Sequence, residues 1–348
     1  MNKHFGRQDV PVSESEAASL FLLEQVMEYT YPAALRAAAM LGVADHLADG
    51  PKPADELAKA TGVDSLRLYR LLRVLATRGI FREEEDRRFA LTPPAEFLRS
   101  DVELSLRQAV LMLTDETFWR PIGNLAGIAK AADKNPVFRE IFGMPFFDYW
   151  ASQGASAKDF HAGMMSMSEV ENQFLVRSYD FPEGATVVDI AGGMGGLLLR
   201  VLRENPTVRG KLFDRPHVLE RNRLGELGAD DRWELVAGDF FKACPPGDVY
   251  ILKYIMHDWS DEDAIRILSN CRAAMNPGGR VLIMDPVLPA GNTPHPGKHM
   301  DILTMGIYDG GRERTEEELG RLLAGAGLRL NRVINTGCYI SVVEGVAD

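Results

Sequence analysis

The stretch Thr186 to Gly196, TVVDIAGGMGG, constrains this chain more than any other. Val187, Val188 and Ile190 are β-branched and apolar, the composition of a strand buried on both faces of a parallel sheet. Asp189 sits near the strand's end. Gly192, Gly193, Gly195 and Gly196 follow, and Leu197 to Leu202 then reads as helix. Strand, tight glycine turn and helix together let backbone approach a ligand closely at a strand's carboxyl end. A dinucleotide turn of G-x-G-x-x-G form needs a third glycine at residue 198 after Gly193 and Gly195, and that residue is leucine.

From Ala185 onward, strand patterns alternate with helix patterns. Strands are predicted at Thr186–Ile190, 210–213, 233–236, 249–254, 280–284, 330–335 and 339–344. Helices begin near Gly195, Pro216, Asp261 and Thr315. That order implies a doubly wound parallel sheet with ligands at its carboxyl edge. Polar residues fall where this predicts them. Asp214 lies 21 residues past Gly193, the spacing at which an acid takes ribose hydroxyls. Asp239 and Phe240 follow the third strand, an acid for an adenine amino group and a ring to stack on the base. Lys253, His257, Asp258 and Trp259 follow the fourth, and Asp285 follows the fifth. One such acid reads as a helix cap; acids at successive strand ends mark a ligand edge.

The N-terminal part has a different plan. Residues 1–15 read as unstructured, and Ser15 to Met40 as helix, apolar on most sides and divided at Pro32. Apolar surface on that scale marks an oligomer interface. Helices at 53–61 and 64–78, then strands at 80–81 and 88–91 around a charged turn, make a winged-helix pattern. Residues 1–115 carry 14 Lys/Arg against 18 Asp/Glu, and the whole chain carries a net charge of −11. Both balances speak against nucleic acid as a partner. Residues 104–178 are helical and rich in Met and aromatic side chains, a set that suits core or the walls of a flat apolar pocket. The predicted division is therefore 1–115, 116–178 and 179–348.

No run of eighteen apolar residues is present, and the N-terminus has no apolar core of the signal-peptide kind. Cys244, Cys271 and Cys338 are far apart in the chain without metal-ligand spacing, as expected of thiols in a reducing cytosol. A cytoplasmic enzyme without a metal is the expectation.

The acid before the glycines resembles the D-x-G-x-G-x-G turn of S-adenosylmethionine-dependent methyltransferases, with Ala191 in place of the first glycine. AGDFF, LKYIMHDWSDED and GGRERTEEEL resemble motifs of the O-methyltransferases that act on small aromatic molecules, plant caffeic-acid and chalcone enzymes and bacterial antibiotic-tailoring enzymes among them. The resemblance covers nearly the whole chain. It implies an α/β fold: a C-terminal doubly wound, Rossmann-like domain binding S-adenosylmethionine, and an N-terminal, mostly helical winged-helix domain that forms a homodimer. It implies that Gly192, Gly193 and Gly195, with Asp189, face the cofactor's amino-acid end, that Asp214 binds the ribose, and that Asp239 and Phe240 hold the adenine. Lys253 and Ser168 belong to the same cofactor wall. His257 matches the catalytic base and Glu313 a glutamate that orients it. The second orienting acid is Asp285, one methylene shorter than the usual glutamate.

Substrate contacts are expected from Asp258, Met164, Met300, Asp301 and Met305. The expected reaction moves a methyl group to a phenolic hydroxyl of a small aromatic natural product and leaves S-adenosylhomocysteine. Two other readings compete. One is a winged-helix, ligand-sensing transcription regulator. The other is a relative that binds the same cofactor but decarboxylates or hydroxylates.

Overall fold

A computed structural model describes residues 10–130, 137–154, 156–308 and 310–347, in two compact units that divide after Thr114. In the first unit, Ser13 caps the helix Glu14–Met27 in a capping box with Glu16. The next helix is Thr30–Met40. The break falls at Glu28–Tyr29, before the predicted division at Pro32. Pro32 instead occupies the first turn of the second helix, where a missing N–H has no intrahelical partner to lose. The first helix buries no residue, and Leu20, Phe21, Leu22, Leu23, Val26 and Met27 are each more than half exposed.

Below these helices lies a small core of Leu57, Leu68, Leu72, Leu75, Phe81 and Phe89. It is built from the helices Ala54–Thr61 and Ser65–Ala76 and three short strands. The strands are β1 (Lys52–Pro53), β2 (Phe81–Glu83) and β3 (Arg88–Leu91), paired antiparallel in the order β1-β3-β2. This is the winged-helix plan with one extra strand, β1. Two residues long, it is too short to show any period-two pattern in the sequence.

The second unit is built on seven strands: β4 (Thr186–Ile190), β5 (Arg209–Asp214), β6 (Trp233–Ala237), β7 (Gly247–Lys253), β8 (Met275–Asp285), β9 (Arg329–Asn335) and β10 (Ser341–Val346). Their order is β6-β5-β4-β7-β8-β10-β9. The first five are parallel, and β10 runs antiparallel to both of its neighbours. The expected all-parallel sheet thus ends in an antiparallel pair. Residues 336–340 between β9 and β10 are too few for a crossover helix, so the second strand has to fold straight back.

Alternate residues of β4 serve opposite layers. Val187 packs with Leu198, Leu202 and Leu212 on one side, and Val188 and Ile190 pack with Tyr250, Leu252 and Ile267 on the other. The chain switches direction across the sheet at β4, so the carboxyl ends of β4, β5 and β7 open onto one crevice edge. Packed helices, among them Phe146–Ser152, Ser156–Arg177 and Pro296–Ile307, complete the unit. The fold also brings together two cysteines that lie 27 positions apart. The sulfurs of Cys244 and Cys271 are 3.7 Å from each other, because the residues after β6 pack on the helix Asp261–Ala274.

Candidate active site

The glycine turn after β4 is left-handed at three positions: Ala191 (φ +53°), Gly193 (φ +60°) and Gly195 (φ +78°). Ala191 is where the expected glycine is missing, and holding an alanine there costs about 1–2 kcal/mol. Gly192 is required for a different reason. A Cβ there would lie 2.4 Å from the Asp189 carboxyl carbon. Asp189 is buried; its burial, and then the charge of Asp214, push its pKa up to about 7. One of its oxygens has no partner among the described residues. The Asp214 carboxylate reaches back to the turn, accepting from the Gly193 N–H at 2.9 Å and the Arg215 N–H at 2.6 Å. Burial still raises its pKa against those two bonds.

Beyond β6, Asp239 is exposed and accepts from the Phe241 N–H at 2.9 Å. Phe240 is half-buried and meets Trp259 edge-on. These residues, the turn and Asp214 stand at the carboxyl ends of three adjacent strands, so they share one edge.

At the end of β7, Lys253 is buried among three side chains of the helix Ser156–Arg177. Its ammonium donates to Ser168 Oγ at 2.7 Å and Asn172 Oδ1 at 3.0 Å, and lies 2.7 Å from Glu171. Glu171 also accepts from the hydroxyls of Tyr254 and Tyr339. Of this group the sequence singles out only Lys253 and Ser168. Ser168, Glu171 and Asn172 lie three and four residues apart on one helix face, a spacing that groups them without reporting Lys253 as their partner.

His257 is buried just past β7. Its Nδ1 lies 2.7 Å from a Glu313 oxygen. Its Nε2 lies 3.2 Å from Asp258 Oδ1, an ion-pair distance without hydrogen-bond alignment. Burial alone would lower the imidazole pKa. The charges of Asp258, Glu313 and Asp285 outweigh it and push the group up to about 10. In return, burial raises Asp258 to about 7 and Asp285 to about 6, with the His257 charge opposing both rises. No hydrogen bond joins Asp285 to His257 among the described residues; it acts on the ring by its charge.

The segment carrying His257 is fixed from below by Arg314. This guanidinium is fully buried and donates to the carbonyls of Met256 and Trp259, on either side of His257 and Asp258, and to the Asp261 carboxylate. Asp301 accepts the Glu313 N–H at 2.9 Å. One oxygen of its carboxylate thereby helps seat Glu313. Tyr308 closes the far side, 6.2 Å from the imidazole by ring centroids, and leads into a run of packed rings, Phe146, Phe147, Phe160 and Trp150. Met164, Met300 and Met305 are half-buried on the helices Ser156–Arg177 and Pro296–Ile307. Among the described residues no group of three or more His, Cys, Asp or Glu is arranged to hold a metal.

A sheet reversed at β4, a glycine cradle with an acid beneath it and acids at the next strand ends define a class, the α/β methyltransferases. The chain belongs to the S-adenosylmethionine-dependent O-methyltransferase family: the O-methyltransferase domain matches residues 123–329, and the O-methyltransferase dimerisation domain matches residues 23–101. It is 40% identical to the phenazine O-methyltransferase PhzM of Lysobacter antibioticus, over 94% of this chain and 95% of that one. It is 34% identical to the mitomycin biosynthesis 6-O-methyltransferase of Streptomyces lavendulae, over 96% of each. Among solved structures it is similar to CalO1, the methyltransferase of calicheamicin biosynthesis in its S-adenosylhomocysteine-bound form. That match has 44% identity and a TM-score of 0.90, covering 97% of this chain and 100% of that one. The orphaned Asp189 oxygen beneath the left-handed glycine turn fits the cofactor of this family.

Proposed function

We propose that this enzyme methylates a phenolic hydroxyl of a small aromatic natural product, with His257 as general base. The observation that carries the reading is the placement of His257. Glu313 holds Nδ1 at 2.7 Å, which leaves Nε2 as the nitrogen that takes a proton. A phenol of pKa about 10 is protonated at neutral pH, so its attack needs a base positioned on it. Asp258, Glu313 and Asp285 then stabilise the imidazolium that forms. When bound, S-adenosylmethionine supplies an already activated methyl group and departs as S-adenosylhomocysteine.

The chain's remaining task is alignment and exclusion of water. Asp189, Gly192, Gly193 and Gly195 hold the amino-acid end, Asp214 the ribose, Asp239 and Phe240 the adenine, and Ser168 and Lys253 the intervening wall. Asp258, Met164, Met300 and Met305 line the acceptor's place beside Phe146, Phe147 and Tyr308. Incubation with S-adenosylmethionine and a panel of phenols tests the reading by product mass. A gain of one methyl group is expected; loss of carbon dioxide or gain of oxygen refutes it.

Two further expectations arise here. Asp214→Ala should weaken S-adenosylmethionine binding by roughly 1–3 kcal/mol, the cost of leaving ribose hydroxyls unpaired in a closed site. Titration calorimetry reads this directly, and an unchanged Kd would reduce Asp214 to a staple for the Gly193 amide. The apolar helix Glu14–Met27, with no buried residue of its own, supports a homodimer built on residues 15–115. Light scattering of the full chain is expected to give twice the mass of one chain, and a folded monomer at micromolar concentration would sink the idea.

A further inference from the structure

Tyr254 is given no role in the chemistry above, yet it is the residue most constrained in that neighbourhood. It follows β7 directly and sits in the left-handed region at φ +56°. A bulky residue persists there only where its surroundings over-determine it. Its surroundings do. The hydroxyl donates to Glu171 at 2.7 Å and lies 3.1 Å from the Tyr339 hydroxyl, which is itself bound to Glu171. Glu171 is in turn paired with Lys253. The Tyr254 ring lies nearly parallel to the imidazole of His257, 5.0 Å away by centroids with 19° between the planes.

We propose that Tyr254 is a positioning residue for the base: its ring face, anchored through Glu171, holds the plane of the His257 imidazole and stabilises the imidazolium form. The face of a phenol is its negative side and attracts a cation lying over it. Donation to a carboxylate makes that ring richer in electrons. The other groups facing His257 are Asp258 at Nε2, Glu313 at Nδ1, the charge of Asp285 and the tilted ring of Tyr308. Among these contacts only Tyr254 meets the imidazole face-on in a parallel stack. Lys253 and Tyr254 are consecutive and both bound to Glu171, so one buried carboxylate serves the proposed cofactor wall and the proposed base together.

The inference rests on the reading of His257 as base, and its test separates the two. Tyr254→Asn removes the ring with a residue that tolerates left-handed backbone, and Tyr254→Leu removes it while keeping bulk. Tyr254→Phe keeps the ring and removes the anchor. The full chain with S-adenosylhomocysteine, labelled at histidine Cε1 and assigned with His257→Ala, is titrated by NMR, and kcat is followed against pH. The ring-deleting variants are expected to titrate about one pH unit lower than wild type, with the acidic limb of kcat moving equally. Tyr254→Phe is expected to titrate between wild type and the ring-deleting variants, with turnover falling about three- to tenfold through the lost hydrogen bond. Ring deletion that leaves the titration in place, or a Phe variant that moves as far as the others, overturns the proposal. If His257→Ala retains turnover, the base assignment fails, and the NMR titration still decides the stacking on its own.

Discussion

Replacing His257 with alanine is expected to lower turnover by about 10²–10⁴-fold, the usual worth of a positioned proton transfer. Cofactor affinity should hardly change, because the imidazole is assigned to the acceptor's side. The pH dependence distinguishes this loss from a merely structural one. Only the neutral ring accepts a proton, so the wild-type rate should rise with pH through the titration of His257. The surrounding carboxylates hold that titration well above the ordinary histidine value, so the rate should still be climbing at alkaline pH.

Stability runs the opposite way with pH. A folded pKa above the unfolded value near 6.5 contributes stability that is fully present below pH 6.5 and is lost as pH rises toward about 10. In His257→Ala the kinetic limb should vanish, and acceptors of low phenol pKa should lose least. Near-normal turnover on a phenol of high pKa would leave alignment as the whole of the catalysis.

The second large effect concerns folding. Arg314→Met should destabilise the chain by about 3 kcal/mol, roughly the cost of leaving two backbone carbonyls without their donor. The Met256 and Trp259 carbonyls lose their donor, and a buried carbonyl without one costs about 1–3 kcal/mol. The Asp261 carboxylate is half exposed and recovers water, so it adds little. The urea midpoint of the second unit should fall accordingly. The folded fraction should also turn over slowly, since the same carbonyls bracket His257. An unchanged midpoint would show that the guanidinium is replaceable by packing alone.

What the sequence disclosed was local chemistry. Val187, Val188 and Ile190 announce a buried strand because they are β-branched, and the glycines after them announce a turn because few other residues fit it. Asp214, Asp239, Lys253 and His257 were legible because a strand's end fixes which edge its next residue joins. The antiparallel placement of β10 was missed, although the five residues that precede it leave no room for a crossover. The contacts of Glu171, Asn172 and Arg314 were not legible. Lys253 reaches its partners across 81 to 85 positions, and Arg314 reaches the His257 segment across 53 to 58. Nothing in the sequence near those residues reports pairings over that distance. The bond from the Glu313 N–H to Asp301 was hidden for a related reason: the helix carrying Asp301 does not report which amide the fold brings to it.

The left-handed alanine and tyrosine, Ala191 and Tyr254, stand at the ends of neighbouring strands, β4 and β7. For an engineer seeking heat tolerance they are the obvious places to relax, and glycine at 191 would recover about 1 kcal/mol of strain. Both positions also shape the proposed site. Glycine there would widen the cradle's range of motion, and a looser residue at 254 would free the histidine beside it. Hardening this catalyst is therefore better begun far from the crevice, at exposed helix positions of the second unit, where a gain in robustness does not trade against speed.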